Sequence, residues 1–460
     1  MPATDSPAIL VARFLRSSGY NETYDAFVTE AGLEPDAGTV GKGDLTLEVL
    51  LEEKKAYDFS ARFEKLGVEG EDGEQGGWGS GGPEKAEVVT TLPSRSNILC
   101  AAVFETEEGG STLLVSTADR RLHALDATTS VLRDSMSGLQ DSPILSTLVY
   151  MGKYLLTASM SGQLLLSDLA GHTIERRRDH LKYIVRVAML EDDSHGLLLA
   201  TAGWDCKVVL YKPRLSREEG GEDTFMLGDP IATIILPTKP EAMVLTLHPE
   251  TSQPIVLLTR TDSNLIYFYS AESTPRLLGK QNLAPHSNAW VAFTPSAIAL
   301  SPTDPTLLAV GTSSVPHMKL LIVRLLFPPY NQPMLPTRSL AAEPQDTQSS
   351  QARRELALAS REAAAIQIHC TTMAPQTAYS TPAVAWRPDG SGVWVNGDDG
   401  VVRGVEVRSG KVVRVLGGGH EEGSKVRCIW AGVVGGREVL VSGGFDQRLI
   451  VWRTDGNEVA

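Results

Sequence analysis

Short runs in which branched apolar residues alternate with polar ones recur along most of the chain. The clearest is VLVSGGFDQRLIVWR, Val439 to Arg453, where two strands, Val439–Ser442 and Arg448–Trp452, flank a turn carrying Gly443, Gly444 and Asp446. Such alternation bounded by Gly and Asp predicts strand–turn–strand. LLATAGWDCKVVLYK aligns with it without a gap, putting Thr201 on Ser442, Gly203 on Gly444, Trp204 on Phe445, Asp205 on Asp446 and Tyr211 on Trp452. Looser copies start at Leu113, Leu155, Val256 and Val393, and the most eroded starts at Thr306. Seven copies spaced by about 40–45 residues predict a mainly β fold, a seven-bladed β-propeller of four-stranded blades.

The blades are expected to begin near Ile98, Ile144, Tyr183, Ala242, Ser296, Pro382 and Lys425. Two insertions stretch the period. Residues 213–230 are acidic and read as a mobile loop; residues 328–365 are Pro-rich at first, then carry helix formers around Glu355 and Arg361 that suit a surface helix. The last blade has three strands of its own. Val88–Leu92 is the natural fourth, and its pairing would close the ring and remove an open sheet edge. The propeller is thus assigned to residues 88–453, with 454–460 as a tail.

The period changes before that point. Ser6-Pro7 starts a helix carrying Leu10, Val11, Phe14 and Leu15 on its apolar face and stopping at Gly19. Asn21 caps a second helix with Tyr24, Phe27, Val28 and Ala31 at helical spacing. Two helices this short cannot bury an apolar face alone, so residues 1–34 need a partner surface, either a second copy or the chain's own propeller. A third helix is expected from Leu45 to Leu66, within residues 35–67, extending the helical unit or capping the propeller. Residues 68–87 are acidic and Gly-rich with Trp78 as the one large apolar side chain, and read as a flexible linker.

The segment ILVARFLRSSGYNETYDAFVTEAGL resembles the lissencephaly-homology (LisH) motif at Leu10, Phe14, Leu15, Gly19, Tyr20, Glu22, Thr23, Ala26, Phe27 and Glu30, with Tyr24 where that family usually has Ala. The resemblance implies a homodimer made through Leu10, Phe14, Leu15, Tyr20, Tyr24 and Phe27. The repeats in turn resemble WD repeats. That likeness implies hydrogen-bonded structural tetrads at His420, Ser442, Asp446 and Trp452, and at His180, Thr201, Asp205 and Tyr211. It also puts the residue before each tetrad aspartate on the top rim, where WD proteins bind partners. Trp204 and Phe445 are therefore candidate contacts, joined by Tyr183 and Arg186 at the start of the third blade, unless these aromatics fold over a neighbouring blade.

Composition narrows the rest. The 460 residues carry a formal net charge of −14, which argues against generic affinity for nucleic acid. Four distant cysteines without CxxC spacing read as reduced thiols rather than disulfides or a zinc site. No signal peptide or bilayer-length apolar run is visible, so a cytoplasmic or nuclear protein is expected, without membrane contact. Histidines are scattered without metal spacing, and neither a P-loop nor a dinucleotide fingerprint is present; no cofactor is expected. Ser, His and Asp recur in two blades, which suits a scaffold better than a hydrolase with one nucleophile. The one basic run, Arg176-Arg177-Arg178, is expected on an exposed blade edge. These readings converge on a non-enzymatic scaffold or adaptor that homodimerises and binds other proteins on its propeller. The alternatives are a ubiquitin-ligase subunit or substrate receptor and a propeller hydrolase.

Overall fold

The computed structural model describes residues 7–40, 46–47, 78, 81–106, 109–216, 224–285, 293–331 and 348–454. The alternating runs form seven four-stranded antiparallel sheets in a closed circle, a seven-bladed β-propeller. Blades 1 to 6 span Ile98–Ser137, Ile144–Arg177, Ile184–Ile235, Pro240–Asn282, Thr294–Pro375 and Val384–Leu416. Blade 7 combines Val426–Arg453 with the early strand Lys85–Val88. The expected blade starts fall within two residues of those observed.

Period-two alternation explains where the core sits. A blade's two faces both meet neighbours, so its middle strands are apolar on each side: Tyr154–Ser159 and Leu164–Ser167 are buried throughout. The described core accordingly divides into seven clusters, one at each junction between adjacent blades. The first strand of each blade touches the first strand of the next, so these strands lie innermost, around the axis.

Closure differs from expectation in register. The fourth strand of blade 7 is Lys85–Val88 rather than Val88–Leu92, pairing Ala86 with Trp452 and Val88 with Ile450. An outermost strand needs backbone pairing but little burial, so KAEV serves, with three of its four side chains exposed. Val89 and Leu92, the more apolar residues, instead pack between blades 7 and 1. Arg453 locks the seam, its guanidinium reaching Glu87 at 3.0 Å and Ser130 of blade 1 at 3.1 Å.

Trp78 corrects the reading of residues 68–87 as a linker that buries nothing. Its ring is buried between blades 6 and 7, edge-on to Trp394 with centroids 4.8 Å apart. The guanidinium of Arg387 stands 4.2 Å from its centroid while gripping Glu438 of blade 7 at 2.6 Å. The slot exists because blade 6 has Gly392 and Gly404 beneath the indole, where a Cβ would come within 2.4 Å and 2.2 Å of the ring. Outside residue 78, residues 68–80 lie beyond the described ones.

The insertions also differ. Residues 213–230, expected as a mobile loop, hold a pair of strands, Arg214–Ser216 with Thr224–Met226. Phe225 at its return strand is fully buried against Tyr150 and Tyr154, at 4.9 Å and 5.3 Å between centroids. In the second insertion a helix, Gln348–Ala365, runs directly into the last strand of blade 5, as its helix formers suggested. Its Glu362 is buried and accepts the Asn282 N–H at 2.7 Å.

The chain divides into two compact units, Met1–Glu71 and Asp72–Ala460. In the first, helices α1 (Pro7–Ser17) and α2 (Asn21–Glu30) meet through Ala12, Tyr24 and Val28, with Leu15, Phe27 and Leu33 around them. Tyr20 occupies the cap position of α2 and Asn21 begins the helix, so Asn21 is not the cap, and no side chain caps this end. The expected third helix lies outside the described residues, except at Thr46 and Leu47.

Candidate functional site

The conserved geometry of the repeat concentrates where the loop between blades meets the turn between second and third strands. In blade 7, Trp452 Nε1 donates to Ser442 Oγ at 2.8 Å, and Ser442 Oγ lies 2.8 Å from His420 Nε2. His420 Nδ1 in turn lies 3.0 Å from Asp446. The aspartate can only accept from its neighbour, which sets the order: indole to hydroxyl, hydroxyl to Nε2, Nδ1–H to carboxylate. Burial pushes the Asp446 carboxyl up, but bonds from His420 and the backbone N–H groups of Glu421 and Arg448 outweigh it and hold it below the usual carboxylate range.

Blade 3 repeats two of these three links. Thr201 Oγ1 is 2.9 Å from His180 Nε2, and His180 Nδ1 is 2.8 Å from Asp205, which also accepts Leu181 N–H at 3.1 Å. Tyr211 takes its own route, its hydroxyl donating to Asp179 at 2.9 Å. Burial, then the Asp179 charge, raises the Tyr211 phenol well above its ordinary value, so it remains a donor. In both blades a glycine makes the contact possible: a Cβ on Gly203 would lie 2.3 Å from the His180 ring, and one on Gly444 2.5 Å from Asp446.

Blade 2 has an equivalent that composition hides. Gln140 stands where His420 would, its amide donating to Thr157 Oγ1 at 3.0 Å, and Ser161 replaces the aspartate by donating to Asp141 at 2.6 Å. The aligned copies carry Thr157 and Ser161 at the Ser442 and Asp446 positions. A polar residue in the preceding loop was the available signal.

The expected rim residues are partly brought together. Trp204 stacks on Tyr183 with centroids 5.2 Å apart and an 18° interplanar angle, and Lys239 Nζ stands 4.7 Å from the Trp204 ring. The stack remains open to solvent, with Trp204 36% and Tyr183 37% exposed, beside Leu181 at 79%. Phe445 is 43% exposed in the matching turn of blade 7, well apart from that stack in the ring order. Arg186 does not join the stack; it lies on the innermost strand of blade 3.

Of the residues expected at a dimer surface, Leu10, Phe14, Leu15 and Phe27 are half-buried within their own unit and Tyr20 is 55% exposed. Tyr24 turns inward instead. Its hydroxyl donates to the Ala37 carbonyl at 2.5 Å, which gives the buried phenol a partner. Arg176–Arg178 lie at the outer strand of blade 2, where Arg177 is tied to Glu175, Asp179 and Asp229. Among the described residues no cluster of His, Cys, Asp and Glu could hold a metal ion, and no helix is long and apolar enough to cross a membrane.

Seven four-stranded blades closed into a ring define a β-propeller. The chain belongs to the family described as UCP007778, beta-propeller domain, which matches residues 83–453. That match starts just ahead of the closing strand Lys85–Val88. No curated protein matches the chain.

Proposed function

We propose that the chain is a non-enzymatic interaction scaffold with WD-type blades, joined into a homodimer by a LisH-like helix pair and binding other proteins on its top rim. The observation that carries this is the Tyr183–Trp204–Lys239 stack: large aromatics ordered by stacking and a cation, yet open to solvent, are what a hot spot offers a partner. The non-enzymatic reading is supported by both His–hydroxyl–Asp sets. Thr201 and Ser442 are fully buried, and Ser442 is already bonded on both sides, so neither hydroxyl is available to a substrate. Four free thiols suit a reducing compartment, cytoplasm or nucleus. Two copies of a rim would raise the strength of weak contacts through avidity.

The test is quantitative affinity purification of the full chain against Trp204→Ala and Phe445→Ala, with matched folding by circular dichroism. A discrete set of partners whose recovery falls several-fold in the Trp204 variant is expected; identical recovery from all three would sink the rim reading. Light scattering of the full chain is expected to give twice the chain mass, and a Leu10→Glu, Phe14→Glu variant the mass of one chain. A monomer at all concentrations would remove the dimer from the proposal.

A further inference from the structure

The innermost strands share a device near their first residues. In six of the seven blades the strand register jumps by one residue there, a bulge that frees one residue from pairing: Ile98/Cys100, Ile144/Ser146, Ile184/Arg186, Pro240/Ala242, Pro295/Ala297 and Val426/Cys428. On these strands, which surround the central axis, the first residue at each bulge is half-buried, while the second is buried in blades 2, 4 and 5, at Ser146, Ala242 and Ala297. Most are apolar or small, as in Leu99-Cys100, Leu145-Ser146 and Ser296-Ala297. Blades 3 and 7 break the pattern with Val185-Arg186 and Arg427-Cys428, and blade 4 with Glu241, whose carboxyl has its own neighbours in Ser296 and Lys239.

Arg186 and Arg427 stand near the starts of the innermost strands of blades 3 and 7. Their blades stand on nearly opposite sides of the ring, so the two charges can meet only across the channel, and Arg427 is disfavoured first by burial and also by the like charge of Arg186. Solvent reaches Arg186, yet burial also pulls its guanidinium below the ordinary arginine value. Neither arginine has a hydrogen-bond or ion-pair partner among the described residues. The groups beside them are the thiols of Cys100 and Cys428. Burial, then Cys100, pushes the Cys428 thiol up to about 12, so it supplies no negative charge.

Two like charges on the channel wall that lack an acid repel each other, and an anion between them would answer both. Each guanidinium carries five N–H donors in a planar fork that fits two oxygens of one anion. We propose that the channel mouth is an oxyanion site, in which Arg186 and Arg427 converge on a single phosphate or carboxylate group. The anion arrives free in solution or on a side chain of a protein seated on the rim. Only the second source rests on the scaffold reading given above.

The test uses the full chain and three probes at constant ionic strength: inorganic phosphate, the amide of N-acetyl-phosphoserine, and the amide of N-acetyl-glutamate. Binding is read by calorimetry and by the shift in melting temperature. At least one probe is expected to bind the wild type saturably, and Arg186→Gln or Arg427→Gln each to weaken it about tenfold, equivalent to about 1.4 kcal/mol. Arg176→Gln, on an outer strand, should leave binding unchanged. In chloride alone Arg427→Gln should melt no lower than wild type, because removing one like charge relieves repulsion, whereas an arginine held by packing would melt lower. Comparable affinity for phosphate and the phosphoserine amide assigns the free anion; clear preference for either side-chain analogue assigns the protein-borne group. No binding by any probe, or binding indifferent to both arginines, overturns the site. If partner recovery depends on Trp204 while no probe binds, only the oxyanion site falls; if a probe binds and rim substitutions change nothing, only the scaffold reading falls.

Discussion

Ser442 shows how much one hydroxyl can organise. It takes the indole proton of Trp452 and lies against His420, so Ser442→Ala leaves two buried polar atoms without partners. At about 1–3 kcal/mol for each such orphan, we expect a loss of about 2–6 kcal/mol in urea unfolding. Thr201→Ala should cost less, since Tyr211 in blade 3 bonds to Asp179 instead; equal losses would mean that the indole link contributes nothing. Asp446 carries a pH signature. Its folded carboxyl is held below the usual range, so its stabilisation is complete above the unfolded value near about 4 and is lost as pH falls further, through the lower folded value. Asp446→Asn should lower stability at neutral pH and flatten the acid limb of the stability profile; a parallel shift of the whole profile would contradict this. The likeness to WD repeats put His, hydroxyl and Asp at the positions that bond in blades 3 and 7, but it gave Tyr211 the role of Trp452, and Tyr211 bonds Asp179 instead. Gln140 was not legible in the sequence, since a glutamine, a serine and a recruited Asp141 reproduce the linkage with other chemistry.

Among elements, the strands that face two neighbours were the easiest to read, because burial on both sides demands apolar side chains. The closing strand was misplaced by a few residues for the opposite reason: its role is met by backbone pairing, and the sequence KAEV carries no burial signal. Trp78 escaped because the glycines that make its slot, Gly392 and Gly404, lie far along the chain and mean nothing until blade 6 exists. Phe225 escaped in the same way, inside an acidic insertion. Both are expected to behave as core residues. Trp78→Ala should lower stability by about 3 kcal/mol and Phe225→Ala by a similar amount, each measured by denaturant unfolding with an unchanged slope. Gly404→Ala should evict the indole, seen as a loss of near-ultraviolet circular dichroism and a red shift in tryptophan emission. An unaltered spectrum would show that the slot is not filled in solution.

On the scale of the whole molecule, stability is distributed over seven blade junctions rather than one centre. A chain lacking residues 1–71 should therefore keep the melting temperature of the propeller, because that unit is compact by itself. Removing residues 1–89 should not be tolerated. It strips blade 7 of its outer strand and Trp78 from its slot, exposing the edge that carries Trp452 and Arg453, and aggregation without a cooperative transition is expected on heating. A truncation at residue 89 that melted like the full propeller would show that closure is dispensable.

The seam at Arg453 and Glu87 also has a meaning in time. These partners are 366 residues apart, so the ring's last strand-to-strand contact joins the earliest part of the propeller to be made with the latest. At about 5–20 residues per second, a ribosome would take roughly 20–70 s between them. Throughout that interval the unsealed flank of blade 1 waits for a neighbour that has not yet been synthesised. The nascent chain would then be a natural client for factors that shield apolar sheet faces during translation.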